Sequence, residues 1–255
     1  MQLNFSEQGN GHAVILMHGM FGSLSNLGNL ARHLATHYRV ISVDLRNHGD
    51  SPHESIMDIP SMANDVVELM DDLALSEASL VGHSLGGKVA MQVALNYPER
   101  VTKLVVADIS PIAYSPRQDA ALDALTQLSL ANVLNRAEAD ALAAVHVPHA
   151  QTRAFLLKNL VRNTQGSYQL KLNMSAVEAN YGTTLVAAPD GLPYQGPSLF
   201  LKGENSAYIQ TKHQPIISQL FPNSEIRIIG GVGHWLHAEK PDEFNTNVSE
   251  FINSL

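Results

Sequence analysis

The pentapeptide Gly82-His83-Ser84-Leu85-Gly86 constrains this chain more than any other stretch. A short apolar run, Ala78-Ser79-Leu80-Val81, leads into it, and residues 87–95 leave it with helical apolar spacing. With Gly and Ser each near ~7% of average sequence, on the order of 0.1 chance matches to G-x-S-x-G are expected in a chain this long. The strand-to-helix setting therefore carries the reading. It predicts a nucleophile elbow, a turn tight enough to lift the Ser84 Oγ clear of the backbone, with glycines where backbone segments come close.

Apolar runs alternate with helical patterns along most of the sequence, which predicts a mostly parallel α/β sheet with helices on both faces. Buried-strand runs lie at 13–17, 38–43, 78–81, 103–107, 198–201 and 225–229. Helical spacing marks 59–75, 87–95 and 241–252. Between 111 and 190 the chain turns alanine- and leucine-rich and has no clear buried parallel strand. Three helices are expected there, at 115–130, 135–145 and 150–161, with a weakly alternating piece at 167–172. The expected organisation is an α/β core built from 1–110 and 191–255, with 111–190 inserted as a helical cap.

Composition removes several alternatives. The net charge is −8 and no long basic run occurs, so no nucleic-acid partner is expected. The chain has no cysteine, which excludes disulfides, thiolate metal sites and a cysteine nucleophile. No apolar stretch approaches the ~20 residues that span a bilayer, so no membrane partner is expected. Residues Met1 to Glu7 lack the charged start and apolar run of a signal peptide, and a cytoplasmic protein is the expectation.

A serine hydroxyl is a weak nucleophile at neutral pH and needs a base, an acid to orient that base, and donors for the developing oxyanion. Around such an elbow the triad runs Ser, acid, His along the chain. The base is therefore sought after the last strand, where Gly230-Gly231-Val232-Gly233 delivers His234. For the acid, Gly203-Glu204-Asn205-Ser206 follows the penultimate strand but has Ser206 where an aspartate is common. Asp108, at the end of the strand after the serine helix, is the better candidate, with Glu204 the alternative. Asp44 also ends a strand, but a structural pairing with Arg46 or with backbone amides is expected of it. The oxyanion donors are expected to be the backbone N–H groups of Leu85 and of Met20, with Phe21 as second choice for the latter. His18 is read as structural. Phe21 and Trp235 are expected to line the substrate pocket, and Lys88 is read as a surface lysine at a helix start, with assistance to an anionic substrate as the alternative. His237 near His234, and His146 near His149, lack the companion ligands of a metal site. No metal or cofactor is expected.

With these residues in place the chain resembles the α/β-hydrolases, and within them the small YbfF-type bacterial esterases. The resemblance rests on HGMFGSLSNLG from His18, DLRNHGDSP from Asp44, GHSLGGKVAM from Gly82, VADISP from Val106 and GGVGHWLHAEKPDEF from Gly230. It implies Ser84, Asp108 and His234 as the triad, with the acid after the strand that follows the nucleophile helix, which accounts for Ser206. It also implies ester substrates, acyl thioesters among them. Asp50 departs from the pattern, in a place where an apolar residue is common, and little catalytic effect is expected of it.

The expected activity is therefore serine carboxylic-ester hydrolysis of a small-molecule acyl ester or thioester through an acyl-enzyme on Ser84. A serine at the elbow weighs against dehalogenation and epoxide opening. Two rivals stand beside it: another reaction on the same site, such as carbon–carbon bond hydrolysis or peracid formation, and a ligand-binding relative that turns over slowly.

Overall fold

The computed structural model describes the chain except residues 116–118, 132, 165, 184 and 255. The first part forms β1 (Phe5–Gln8), β2 (Ala13–Met17), α1 (Gly28–Leu34), β3 (Arg39–Val43), α2 (Ile59–Asp72), β4 (Ala78–His83), α3 (Leu85–Asn96) and β5 (Val101–Ala107). There follow α4 (Ala120–Leu130), α5 (Arg136–Ala144), α6 (Ala150–Leu156), β6 (Leu160–Arg162), β7 (Tyr168–Leu170) and α7 (Met174–Tyr181). The chain closes with β8 (Ser198–Gly203), α8 (Gln214–Leu220), β9 (Ser224–Ile229), α9 (Leu236–Glu239) and α10 (Pro241–Asn253).

Seven strands make one sheet in the order β1-β3-β2-β4-β5-β8-β9. β1 pairs antiparallel with β3, and the other pairings are parallel. Alternate residues of the central strands serve opposite faces, as the two-residue period requires. Ile15, Met17, Leu80, Leu104 and Val106 join the apolar layer that also holds residues of α2 and α3. Val14, Leu16, Val81, Val105 and Ala107 join the layer that holds residues of α1 and α10. The parallel strands all end at one edge, and the residues just past β4, β5 and β8 meet there.

Outside this sheet, β6 and β7 form a short antiparallel pair among α4 to α7. Side-chain caps start three of these helices: Asp119 accepts from Ala121 N and Leu122 N, Asn135 from Glu138 N, and Asn173 from Ala176 N. Ala124, Leu125, Leu128, Leu156 and Val177 bury their side chains in the same apolar layer as α2 and α3.

The predicted strands are all present, with small shifts of their ends. The helix expected over 115–130 begins at Ala120, and residues 116–118 of that expectation lie outside the described residues. The helix expected over 150–161 stops at Leu156; a tight turn, Leu157–Asn159, follows, and β6 pairs with β7. Six elements lie outside the sequence expectations: β1, α1, β6, α7, α8 and α9. Among the described residues no helix is long and apolar enough to cross a membrane.

Candidate active site

Ser84 sits between the end of β4 and the start of α3 with φ 52° and ψ −114°, a left-handed φ that a non-glycine residue adopts only under constraint. Its neighbours explain how the turn is held. A Cβ on Gly82 would lie 2.1 Å from the Gly86 carbonyl oxygen, and one on Gly86 would lie 2.4 Å from that of Met17. No side chain fits at either place. The Ser84 N–H donates to Ala107 O at 2.9 Å and the Gly86 N–H to His18 O at 3.1 Å, tying the turn to β5 and to the end of β2.

His234 approaches from the loop after β9. Its Nε2 lies 3.0 Å from Ser84 Oγ and its Nδ1 lies 2.8 Å from Asp108 Oδ2. The glycine loop before it is fastened by two carboxylates. Glu204 accepts from Gly231 N at 2.7 Å, and Glu239 accepts from Gly233 N at 2.9 Å and Trp235 N at 3.1 Å. His83 Nε2 donates to the His234 carbonyl at 2.8 Å, and the Tyr208 ring lies 4.1 Å from the His234 ring.

Asp108 follows β5 with φ 54° and is fully buried. Three donors converge on its carboxylate: Gly203 N on Oδ1 at 3.1 Å, and Ser206 Oγ and His234 Nδ1 on Oδ2. A buried carboxylate needs such donors to offset its lost hydration. Glu204, the alternative acid, spends its carboxylate on Gly231 instead.

Met20 and Leu85 line the same cavity as Ser84. Leu85 opens α3, so its N–H belongs to the first turn, where helices leave donors free. The Phe21 N–H, second choice to that of Met20, donates to His48 Nε2 at 3.3 Å. His18 bridges Gly19 O (2.7 Å) and Leu45 N (3.1 Å) in a fully buried position, and burial pushes it down to about 4. Asp44 accepts from Leu24 N, Asp50 N and Asn4 Nδ2, while Arg46 pairs with Asp65 instead.

The cavity above Ser84 has a volume of about 510 Å³. Phe21 and Trp235 line it, as do Tyr114, Val147 and Leu185. Trp235 meets Phe155 of α6 edge-on, with ring centroids 4.1 Å apart. His146 and His149 are both wall residues. Among the described residues no group of three or more His, Asp or Glu side chains is arranged to hold a metal ion.

Lys88 departs from expectation. It is 2% exposed, not a surface residue, because the chain returning from α7 passes over it. Its Nζ donates to Val186 O and Ala187 O and lies 4.9 Å from the Tyr114 ring centre. Burial pushes its ammonium down to about 8. Asp50 also has a partner that the sequence did not disclose, Lys171 Nζ at 2.5 Å.

A family profile described as alpha/beta hydrolase fold matches residues 12–241. The chain belongs to this family. It is 38% identical over 252 residues to sn-1-specific diacylglycerol lipase ABHD11 of Xenopus tropicalis, covering 96% of this chain and 79% of that protein. It is 34% identical over 248 residues to Esterase YbfF of Escherichia coli strain K12, covering 96% of this chain and 95% of that protein. A solved structure titled "Marine microorganism esterase" matches with a TM-score of 0.94 at 36% identity, covering 98% of this chain and 99% of the other. The resemblance read from the core motifs is matched by similarity over nearly the whole chain.

Proposed function

We propose that this protein is a serine carboxylic-ester hydrolase working through an acyl-enzyme on Ser84. The observation that carries the reading is the unbroken hydrogen-bond chain Ser84 Oγ–His234 Nε2 (3.0 Å) and His234 Nδ1–Asp108 Oδ2 (2.8 Å) at the base of the cavity. In this mechanism Ser84 Oγ attacks the ester carbonyl while His234 Nε2 takes its proton. The Met20 and Leu85 N–H groups hold the oxyanion. Asp108 keeps His234 in the tautomer with Nδ1 protonated and stabilises its charged form. His234 then gives the proton to the leaving alcohol or thiol. Water, deprotonated by His234, attacks the acyl-enzyme and releases the acid.

The relatives named as esterases and a lipase support a small-molecule acyl ester as substrate. The apolar wall of Phe21, Val147, Leu185 and Trp235 suits the acyl chain. Residues 111–190 act as a cap in this proposal, supported by the presence of Tyr114, Val147 and Leu185 in the cavity wall. Acyl thioesters belong to the same substrate class.

The test is turnover of p-nitrophenyl esters of rising chain length, with acyl-CoA thioesters in the same series. Turnover that vanishes in Ser84→Ala is expected. Tight binding of an ester by the wild type without any turnover would favour a ligand-binding relative.

A further inference from the structure

Residues 19–22 form a turn closed by Gly22 N donating to Gly19 O at 3.0 Å. Phe21, its third residue, has φ 62°, while Met20 is not among the positive-φ residues. That is the type II arrangement, whose third position ordinarily requires glycine. A phenylalanine there is strained, and the turn persists only if its surroundings hold it.

Two buried side chains hold it, one at the N–H and one at the carbonyl of Phe21. His48 Nδ1 donates to Arg46 O at 2.9 Å, which leaves Nε2 to accept the Phe21 N–H. Asn159 Nδ2 donates to the Phe21 carbonyl at 2.7 Å and to Leu156 O at 3.0 Å, so both of its amide hydrogens are engaged. His48 belongs to the core loop after β3. Asn159 comes from the 111–190 segment, as the last residue of the turn Leu157–Asn159, and is 4% exposed. The helix expected over 150–161 breaks just before it.

We infer that Asn159 is a positioning residue for the Met20 N–H: by pinning the Phe21 carbonyl it keeps the strained turn in the form that offers this amide to the oxyanion. Seating of the 111–190 segment is thereby coupled to the chemical step and not only to substrate enclosure. Without Asn159 the turn relaxes toward an arrangement that Phe21 tolerates, and the Met20 amide loses its aim. The inference rests on the serine-hydrolase reading above.

The experiment compares wild type with Asn159→Ala and with Asn159→Leu, which keeps the volume if the alanine variant collapses. Lys171→Ala serves as control, because it breaks the exposed Lys171–Asp50 tie between the same segment and the core without touching the turn. Active sites are counted with a p-nitrophenyl phosphonate, then kcat, KM and the phosphonylation rate are measured on p-nitrophenyl butyrate and the phosphonate. In both Asn159 variants kcat per active site should fall roughly 10- to 100-fold, less than the ~10²–10³ loss of an entire oxyanion donor. Phosphonylation should slow in parallel, with KM within about threefold and Lys171→Ala within about twofold of wild type throughout. Asn159 variants that match Lys171→Ala, or that raise KM while keeping kcat, would overturn the inference and leave the serine mechanism standing. Full ester turnover in Ser84→Ala would instead remove that mechanism, and the inference with it.

Discussion

Ser206 donates its hydroxyl hydrogen to Asp108 Oδ2, the same carboxylate oxygen that meets His234 Nδ1 at 2.8 Å. Ser206 thus comes from the loop after β8 and supports the buried carboxylate that stands at the end of β5. The two residues are 98 positions apart in sequence. Ser206→Ala leaves Gly203 N as the other donor outside His234 and removes one charge-assisted hydrogen bond, an effect of about 1.5–3 kcal/mol. Steady-state kinetics should show kcat lowered roughly 10- to 100-fold. An unchanged kcat would mean the hydroxyl contributes nothing to holding Asp108.

Asp108→Asn is expected to lower kcat by up to ~10⁴ because the amide favours the wrong His234 tautomer. Glu204→Gln should cost less than about tenfold, since Glu204 fastens Gly231 and does not touch His234. Ester hydrolysis by the purified variants separates the two. The reverse order would transfer the role of acid to Glu204.

Acid should unfold this protein through its buried imidazoles. Burial pushes His18 down to about 4 and His48 to about 3; burial, and next to it His234, pushes His237 to about 4. Their folded values lie below the unfolded value near 6.5, so the unfolded chain binds more protons as pH falls below it. Their stabilising effect is present above about pH 6.5 and is lost progressively as pH falls toward 4. Urea unfolding at pH 5 should give a stability lower than at pH 7.5 by at least ~2 kcal/mol. Equal stability at the two pH values would contradict the buried neutral state of these rings.

Gly86→Ala probes the elbow without altering a reactive group. Its Cβ would lie 2.4 Å from Met17 O and 2.6 Å from His18 O, both backbone atoms that cannot move away cheaply. Destabilisation above about 2 kcal/mol is expected in urea unfolding, with ester turnover falling alongside. A variant as stable and as active as wild type would show that the turn has slack.

Much of the core was legible because its strands are short apolar runs buried on both faces, and because the chemistry sits where they end. Residues 78–81 and 103–107 point straight to Ser84 and Asp108. β1 is hard to read because Phe5–Gln8 is a mostly exposed edge strand with one apolar residue, Phe5, and so little apolar pattern. α7 is short, and its start depends on the Asn173 cap. Lys88 looked like a surface residue because nothing local reveals that residues 186 and 187, about a hundred positions on, bring two carbonyls to its Nζ. The break at Leu156 was hidden in the same way: apolar spacing runs on to Val161, but Asn159 is drawn to the Phe21 carbonyl, 138 residues away in sequence. Periodicity records which face a residue turns to the core; it does not record a hydrogen bond to a distant loop.

The most direct measurement of the proposed mechanism is the site of covalent capture. Wild-type protein treated with a p-nitrophenyl phosphonate should gain one phosphonyl group by intact mass, lose ester turnover in step with the mass change, and carry the adduct on the peptide containing Ser84. Ser84→Ala should gain none. An adduct on another residue, or ester turnover that persists once Ser84 is fully modified, would contradict a nucleophilic role for this serine.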